Sequence, residues 1–140
     1  MGKKQRVLIL CTGNSCRSQM AEGLINHDLG EEWEAVSAGT SPGRVTPYAI
    51  RAMEELGIDI SQNESEHIDK YLDDPLDLVV TVCGHAAENC PVFPRPVEKV
   101  HLPFHDPVNA IGTDAEIMAE FRTVRDDIRK RLLEMLQKRA

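Results

Sequence analysis

The hydrophobic and polar pattern of the chain predicts four strands. The segment Arg6 to Leu10 is a short, nearly continuous apolar run, which is typical of a buried parallel strand. The run Leu76 to Val82 predicts the strongest strand of the chain. Two weaker strands are predicted at Trp33 to Ser37 and at Val97 to Leu102.

Helices are predicted between these strands and after the last one. Apolar and small residues recur at helical spacing after the first strand, at Met20, Ala21, Leu24, Ile25 and Leu29. Thr46 and Pro47 are typical of a helix start, and Gly57 favours the end of that helix. Thr113 is a candidate cap for a last helix with one apolar face, formed by Ile117, Phe121, Val124, Ile128, Leu132 and Met135. This order predicts an α/β fold, a three-layer domain with a four-stranded parallel sheet and helices on both faces.

Length and composition restrict the class of protein. One domain over residues 1–140 accounts for the length, and 41% hydrophobic with 28% charged residues is a globular composition. A net charge of −7 disfavours a nucleic-acid partner, because phosphate neutralisation needs a basic face. Only Met1 to Arg6 precede the first apolar run, so we expect no signal peptide, no membrane span and a cytoplasmic monomer with reduced thiols.

Three reactive side chains follow predicted strands. Cys11 follows the first strand, Cys83 follows the third, and Asp106 lies shortly after the fourth. In an open α/β sheet, ligands bind at the carboxyl edge of the strands. If the first and third strands are neighbours, about 4.8 Å apart, Cys11 and Cys83 come within reach of a disulfide.

The pattern C-x5-R-S joins the first strand to the first helix. A loop of this kind wraps its backbone N–H groups around one tetrahedral anion, and the helix N-terminus adds partial positive charge. The candidate substrate-binding residues are Thr12, Gly13, Asn14, Ser15, Cys16, Arg17 and Ser18. We expect left-handed backbone at Gly13 and Asn14, and a lowered pKa for Cys11 next to Arg17 and Ser18. The functional interpretation is a thiolate nucleophile; the alternative is a buried cysteine followed by an exposed arginine.

The run CTGNSCRSQMAEG resembles the arsenate reductases that share the fold of the low-molecular-weight protein tyrosine phosphatases. The motif FHDP matches the position of their general-acid aspartate, here Asp106. The resemblance to the thioredoxin-coupled members implies that arsenate is reduced to arsenite. It further implies that Cys11 is the nucleophile and that a Cys11–Cys83 disulfide is passed on to Cys83–Cys90, with thioredoxin as the electron donor.

Other functions stay open at this point. A phosphatase needs Cys11, Arg17 and Asp106 but neither of the later cysteines, so the pair Cys83 and Cys90 favours the reductase. A phosphatase with a redox-guarded nucleophile and a non-enzymatic binder of trivalent arsenic are the alternatives. The cysteine spacings miss the usual zinc knuckles, so we expect no metal site of that kind. Cys16 is interpreted as a packed loop residue.

Two further expectations concern the surroundings of the loop. Residues 84–89 are expected to form a short helix that lowers the pKa of Cys83 and then unwinds so that Cys90 reaches it. Relatives can bind a potassium ion beside the loop, and the matching positions are Asn14, Glu22, Ser37 and Glu66. Glu66 replaces the usual aspartate, and solvated carboxylates at Glu22 and Glu66 are the alternative interpretation.

Overall fold

A computed structural model describes residues 4–84, 90 and 93–139. Within them, four parallel strands form one sheet: β1 (Gln5–Cys11), β2 (Trp33–Gly39), β3 (Leu78–Thr81) and β4 (Glu98–His101). The α-helices of the described chain are α1 (Arg17–Asp28), α2 (Pro47–Glu54) and α3 (Asp114–Gln137). Two short 3-10 helices lie at Ile68–Tyr71 and Pro107–Asn109.

The strand order is β2-β1-β3-β4, so β1 is hydrogen-bonded to β2 on one side and to β3 on the other. The predicted α/β class with a four-stranded parallel sheet is confirmed. The first and third strands are neighbours, which is the condition under which Cys11 and Cys83 were expected to come close. Strand β1 runs one residue further than predicted, so Cys11 is its last residue and not the first one after it. Strand β3 is shorter than the predicted run Leu76 to Val82, and it begins at Leu78.

The core lies on both faces of the sheet. Neighbouring side chains of β1 point to opposite faces, and Val7, Leu8, Ile9 and Leu10 are all fully buried. Helix α1 packs on β1 and β2, and it also contacts α2 and α3. No helix in the described part of the chain is long and apolar enough to cross a membrane.

Helix ends follow the local signals in the sequence. Thr113 accepts the N–H of Glu116 at 3.1 Å, and the Glu116 carboxylate accepts the N–H of Thr113 at 3.1 Å, which is a capping box. Thr46 and Pro47 start α2 as predicted, and Gly57 lies in the turn that follows with φ of 76°. Helix α1 begins at Arg17, the arginine of the C-x5-R pattern, so its N-terminus faces that loop.

Candidate active site

A cavity of about 380 Å³ opens at the carboxyl edge of β1. It is lined by Cys11, Thr12, Gly13, Ser15, Cys16, Arg17, Asp106 and Val108. The fold therefore brings the predicted nucleophile, the loop, the arginine and the predicted acid to one pocket, although Asp106 lies 89 residues after Arg17 in the sequence.

The loop's backbone is arranged to receive an anion. Four N–H groups of segment 40–46 donate to loop carbonyls: Thr40 to Cys11 (3.2 Å), Ser41 to Thr12 (2.9 Å), Gly43 to Gly13 (2.9 Å) and Thr46 to Ser15 (3.0 Å). These bonds engage the carbonyl oxygens of the loop, which would repel an anion. The N–H groups of the loop are then the backbone groups that an anion would meet. Gly39 allows the close approach, because a Cβ there would lie 2.4 Å from the carbonyl oxygen of Thr12.

Asn14 fixes the conformation of the loop through hydrogen bonds of its buried side chain. It is fully buried, and its φ of 50° lies in the left-handed region, as predicted; Gly13 does not have a positive φ. Its Nδ2 donates to Ser18 Oγ (2.8 Å) and Ser37 Oγ (3.0 Å). Its Oδ1 accepts from Gln19 Nε2 (3.0 Å) and from the N–H of Glu66 (2.9 Å). The side-chain amide thus uses both of its ends, which fixes a strained residue at the centre of the loop.

Arg17 and Asp106 form an ion pair at the mouth of the pocket. Arg17 Nη2 lies 3.0 Å from Asp106 Oδ2, and Arg17 Nη1 donates to the carbonyl oxygen of Phe104 at 3.2 Å. The Nε of Arg17 is buried and has no hydrogen-bond partner in the described chain. The other carboxylate oxygen, Asp106 Oδ1, accepts from Cys16 Sγ (3.6 Å) and from the N–H of Val108 (3.0 Å).

The thiols of Cys11 and Cys83 are hydrogen-bonded neighbours, both buried. The pKa of Cys11 is raised, first by this bond and then by burial, while Ser18, Arg17 and the N–H of Asn14 lower it. The predicted lowering by the loop therefore occurs, but the net direction predicted for Cys11 is wrong. The reason is the neighbouring Cys83 thiol, which favours the protonated form. Cys83 Sγ also lies 3.2 Å from Thr12 Oγ1.

Cys90 is half-buried and packs against the core. Burial raises its pKa and Lys99 lowers it. The Lys99 ammonium lies over the ring of Phe93, 5.4 Å from the centroid. All four cysteines are reduced thiols. The short helix predicted at residues 84–89 lies outside the described residues, except for Gly84.

The family model for low-molecular-weight phosphotyrosine protein phosphatases matches residues 6–139. The chain belongs to this family. It is 54% identical over 129 residues to an arsenate reductase of Halalkalibacterium halodurans, covering 92% of this chain and 93% of the relative.

Solved structures of the family agree with this placement. An arsenate reductase in the oxidised state superposes with a TM-score of 0.80 at 31% identity, over 97% of this chain and 99% of that one. A thioredoxin-dependent arsenate reductase of Corynebacterium glutamicum superposes with a TM-score of 0.70 at 26% identity, over 99% of this chain and 65% of that one.

The four positions matched to a potassium site in the family lie together here, and they are hydrogen-bonded to one another. Glu22 accepts from Ser37 Oγ (2.8 Å), and burial raises its pKa although Ser37 opposes this. The Glu66 carboxylate pairs with Lys70 and accepts from Tyr71 Oη at 2.6 Å. Within the described chain, no group of three or more His, Cys, Asp or Glu side chains has the arrangement of a metal site.

Several residues that shape the site of this family member were not identified from the sequence. Gly39 and Gln19 support the loop from β2 and α1, and Ser65 donates to the carbonyl oxygen of Asn14 at 2.8 Å. Gln19 carried the one available signal, because it is a polar residue beside the apolar stripe of α1. Gly39 and Ser65 lie far from the loop in sequence, so no local pattern indicates them.

Proposed function

We propose that the protein reduces arsenate to arsenite in the cytoplasm, and that thioredoxin regenerates it. The observation that carries the proposal is the pair of hydrogen-bonded thiols, Cys11 and Cys83, at an oxyanion pocket. Hydrolysis of a phosphate ester needs no second thiol beside the nucleophile, whereas reduction of arsenate needs one to accept the disulfide. The relatives named as arsenate reductases support the same substrate.

Arsenate binding is supported by the groups that line the pocket. The N–H groups of the loop and the N-terminus of α1 supply partial positive charge. The buried Nε of Arg17 supplies a donor with no partner in the described chain, and a tetrahedral oxyanion matches the fork of Nε and Nη. Since Arg17 Nη2 is paired with Asp106, arsenate must displace the Asp106 carboxylate from this nitrogen when it binds.

In the first step, Cys11 Sγ attacks arsenic in line with a hydroxyl group. Asp106 takes up a proton once arsenate has displaced it from Arg17, and it gives that proton to the hydroxyl, which leaves as water. A Cys11–arsenate adduct remains. Cys11 attacks as the thiolate, and the loop groups that lower its pKa, Ser18 and Arg17, favour this form.

In the second step, Cys83 Sγ attacks Cys11 Sγ. A Cys11–Cys83 disulfide forms, the electron pair of the sulfur–arsenic bond passes to arsenic, and arsenic(V) leaves as arsenite. The hydrogen bond between the two thiols supports this step, because the attacking and attacked sulfurs already lie side by side. The Thr12 hydroxyl, 3.2 Å from Cys83 Sγ, is placed to stabilise the attacking thiolate.

In the third step, Cys90 attacks Cys83, which releases Cys11 as a thiolate and moves the disulfide to Cys83–Cys90. An external dithiol then reduces this disulfide and is itself oxidised. We assign that role to thioredoxin, with support from the thioredoxin-dependent relative of Corynebacterium glutamicum.

Hydrolysis of phosphate esters is the second candidate function. It is favoured by the family itself and by the contact of Arg17 with Asp106, because the loop, the arginine and an acid suffice for that reaction. The absence of tyrosine after Tyr71 removes the usual platform for a phosphotyrosine ring, so we place this activity second.

The proposal includes no potassium requirement. The Glu66 carboxylate is already paired with Lys70 and Tyr71, and Lys70 supplies the positive charge that a cation would bring. The proposal takes residues 1–140 to be one domain that acts as a monomer. Equal melting temperatures in potassium and sodium chloride are expected; higher stability in potassium would contradict this part.

The test is a single turnover without thioredoxin. Reduced protein is mixed with one equivalent of arsenate, arsenite is quantified, and thiols are mapped by mass spectrometry. We expect one arsenite and a Cys83–Cys90 disulfide per molecule, and a trapped Cys11–Cys83 disulfide in Cys90→Ser. Four intact thiols and no arsenite would refute the reductase, and hydrolysis of an aryl phosphate by the same sample would then favour the phosphatase.

A further inference from the structure

Cys16 lines the pocket but takes no part in the proposed relay. It is only 3% exposed and directly precedes Arg17, the first residue of α1. Its Sγ lies 3.6 Å from Asp106 Oδ1, within range of an S–H hydrogen bond. A buried thiol in contact with the acid of the reaction therefore needs an explanation of its own.

The two oxygens of the Asp106 carboxylate have different partners. Oδ2 is paired with Arg17 Nη2 at 3.0 Å. Oδ1 accepts from Cys16 Sγ and from the N–H of Val108, at 3.6 and 3.0 Å. The side chain of Asp106 is 37% exposed, so these contacts are what hold it over the pocket.

An entering oxyanion changes only one of these contacts. The anion competes for the guanidinium of Arg17, and Oδ2 then loses its partner and faces the leaving group. The donors on Oδ1 are not groups that bind the anion through their side chains, so they stay in place. Oδ1 becomes the anchored oxygen and Oδ2 the oxygen that delivers the proton.

The donor on Oδ1 must itself keep its proton. Burial first, and the neighbouring Asp106 charge second, raise the pKa of Cys16 to about 12. At neutral pH the side chain is therefore a thiol that donates, in contrast to the nucleophile, which must lose its proton.

We infer that Cys16 is a positioning residue: its S–H holds Asp106 Oδ1 so that Oδ2 is aimed at the leaving group. This inference rests on the proposed function for the identity of the reaction. The same geometry would serve hydrolysis of a phosphate ester in this pocket.

The first test compares three variants at Cys16 in a single turnover of arsenate reduction. Cys16→Ala removes the donor, and we expect the limiting rate constant at saturating arsenate to fall about five- to tenfold, with little change in the arsenate concentration that gives half of it. Cys16→Ser restores a donor and is expected to recover the rate to within about threefold of wild type. Cys16→Val keeps more of the volume without a donor, and it replaces the alanine variant if that one fails to fold.

A double-mutant cycle separates positioning from support of the loop. In an Asp106→Ala background there is no carboxylate to position, so Cys16→Ala should cost nothing further. A purely structural role predicts the same fractional loss in both backgrounds. That outcome, or equal rates for Cys16→Ala and wild type, would overturn the inference.

The series is repeated with p-nitrophenyl phosphate, whose hydrolysis needs Asp106 but neither Cys83 nor Cys90. If wild type hydrolyses the ester but forms no arsenite, the proposed function fails, and the hydrolysis series still decides the role of Cys16. If wild type does both and the Cys16 variants match it, only this inference fails. Absence of both activities in wild type overturns both.

Discussion

The pocket has two unlike walls. The loop wall, residues 11–18, is largely buried, with Asn14 and Ser18 fully so. The facing wall consists of Asp106 and Val108. There the Asp106 side chain is 37% exposed and Val108 is 48% exposed. Hydrogen bonds from β2, α1 and segment 40–46 converge on the loop wall, whereas Asp106 is held by three contacts within the pocket.

This difference follows the demands of the chemistry. An anion is bound tightly only by dipoles that are already oriented, because reorienting them would cost free energy. In the proposed reaction, Asp106 and the thiols of Cys83 and Cys90 must instead exchange partners. Changes in the loop wall are therefore expected to cost stability and anion affinity, and changes in the facing wall to cost rate.

The largest expected effect comes from Asn14→Ala in the loop wall. It removes the four bonds of the buried amide, leaves their partners unsatisfied and puts alanine at a φ of 50°. We expect the free energy of unfolding to fall by about 4 kcal/mol in urea denaturation. Asn14→Gly is the matched control, because it tolerates the positive φ and should lose about 1 kcal/mol less. Wild-type stability in Asn14→Ala would break the comparison.

Asp106→Asn tests the facing wall. Without the acid, arsenite formation should slow about 100-fold, equivalent to about 2.7 kcal/mol. The affinity for inorganic phosphate, measured by calorimetry, should not fall, because Arg17 no longer has to leave a carboxylate. A parallel loss of phosphate affinity and rate would contradict the assignment of anion affinity to the loop wall and of rate to the facing wall.

Gly39→Ala tests how closely β2 approaches the loop wall. Its Cβ would lie 2.4 Å from the carbonyl oxygen of Thr12, so the loop must shift. We expect a loss of about 2 kcal/mol in stability and weaker phosphate binding. Gly43→Ala is the control on the same segment, since its Cβ meets only Ser15 Oγ at 3.8 Å, and it should change stability by less than about 0.5 kcal/mol. Equal behaviour of both variants would contradict the close-approach argument.

Cys83→Ala tests the hydrogen bond between Cys83 and Cys11, the first residue of the loop wall. It removes the largest cause of the raised pKa of Cys11, so the pKa falls and more of the thiol is ionised at pH 7. Alkylation of Cys11 by iodoacetamide at pH 7, followed by mass spectrometry, should accelerate on the order of tenfold. An unchanged pH dependence of this reaction would exclude Cys83 as the cause.

The smallest expected effect is that of Lys99→Met on Cys90. The lysine lowers the pKa of Cys90 against the effect of burial, so its loss should raise that pKa and slow alkylation of Cys90 at pH 8 about twofold. The difference should shrink in high salt. Lys138→Met, at the exposed end of α3, serves as the control and should leave Cys90 unaffected.

Local patterns in the sequence predicted most of the fold, because strands and caps such as Thr113 are set by neighbours along the chain. They also predicted that Cys11, Arg17 and Asp106 lie close together at the carboxyl edge of the sheet, where all three line one pocket. They missed Gly39 and Gln19, whose importance arises from contacts across the sheet. They also missed the Arg17–Asp106 ion pair, which joins two residues 89 positions apart in the sequence.

The sequence alone predicted the order of the elements, and it predicted an anion-binding loop with Cys11, Arg17 and Asp106 as reactive groups. The tertiary structure decided which groups face one another. Pairing of β1 with β3 brought Cys83 next to Cys11 and reversed the direction predicted for the pKa of Cys11. The tertiary structure also placed the thiol of Cys16 next to the carboxylate of Asp106. The physical reason is that a pKa and a hydrogen bond depend on distance in space, which the spacing of residues along a chain does not supply until the strands are ordered.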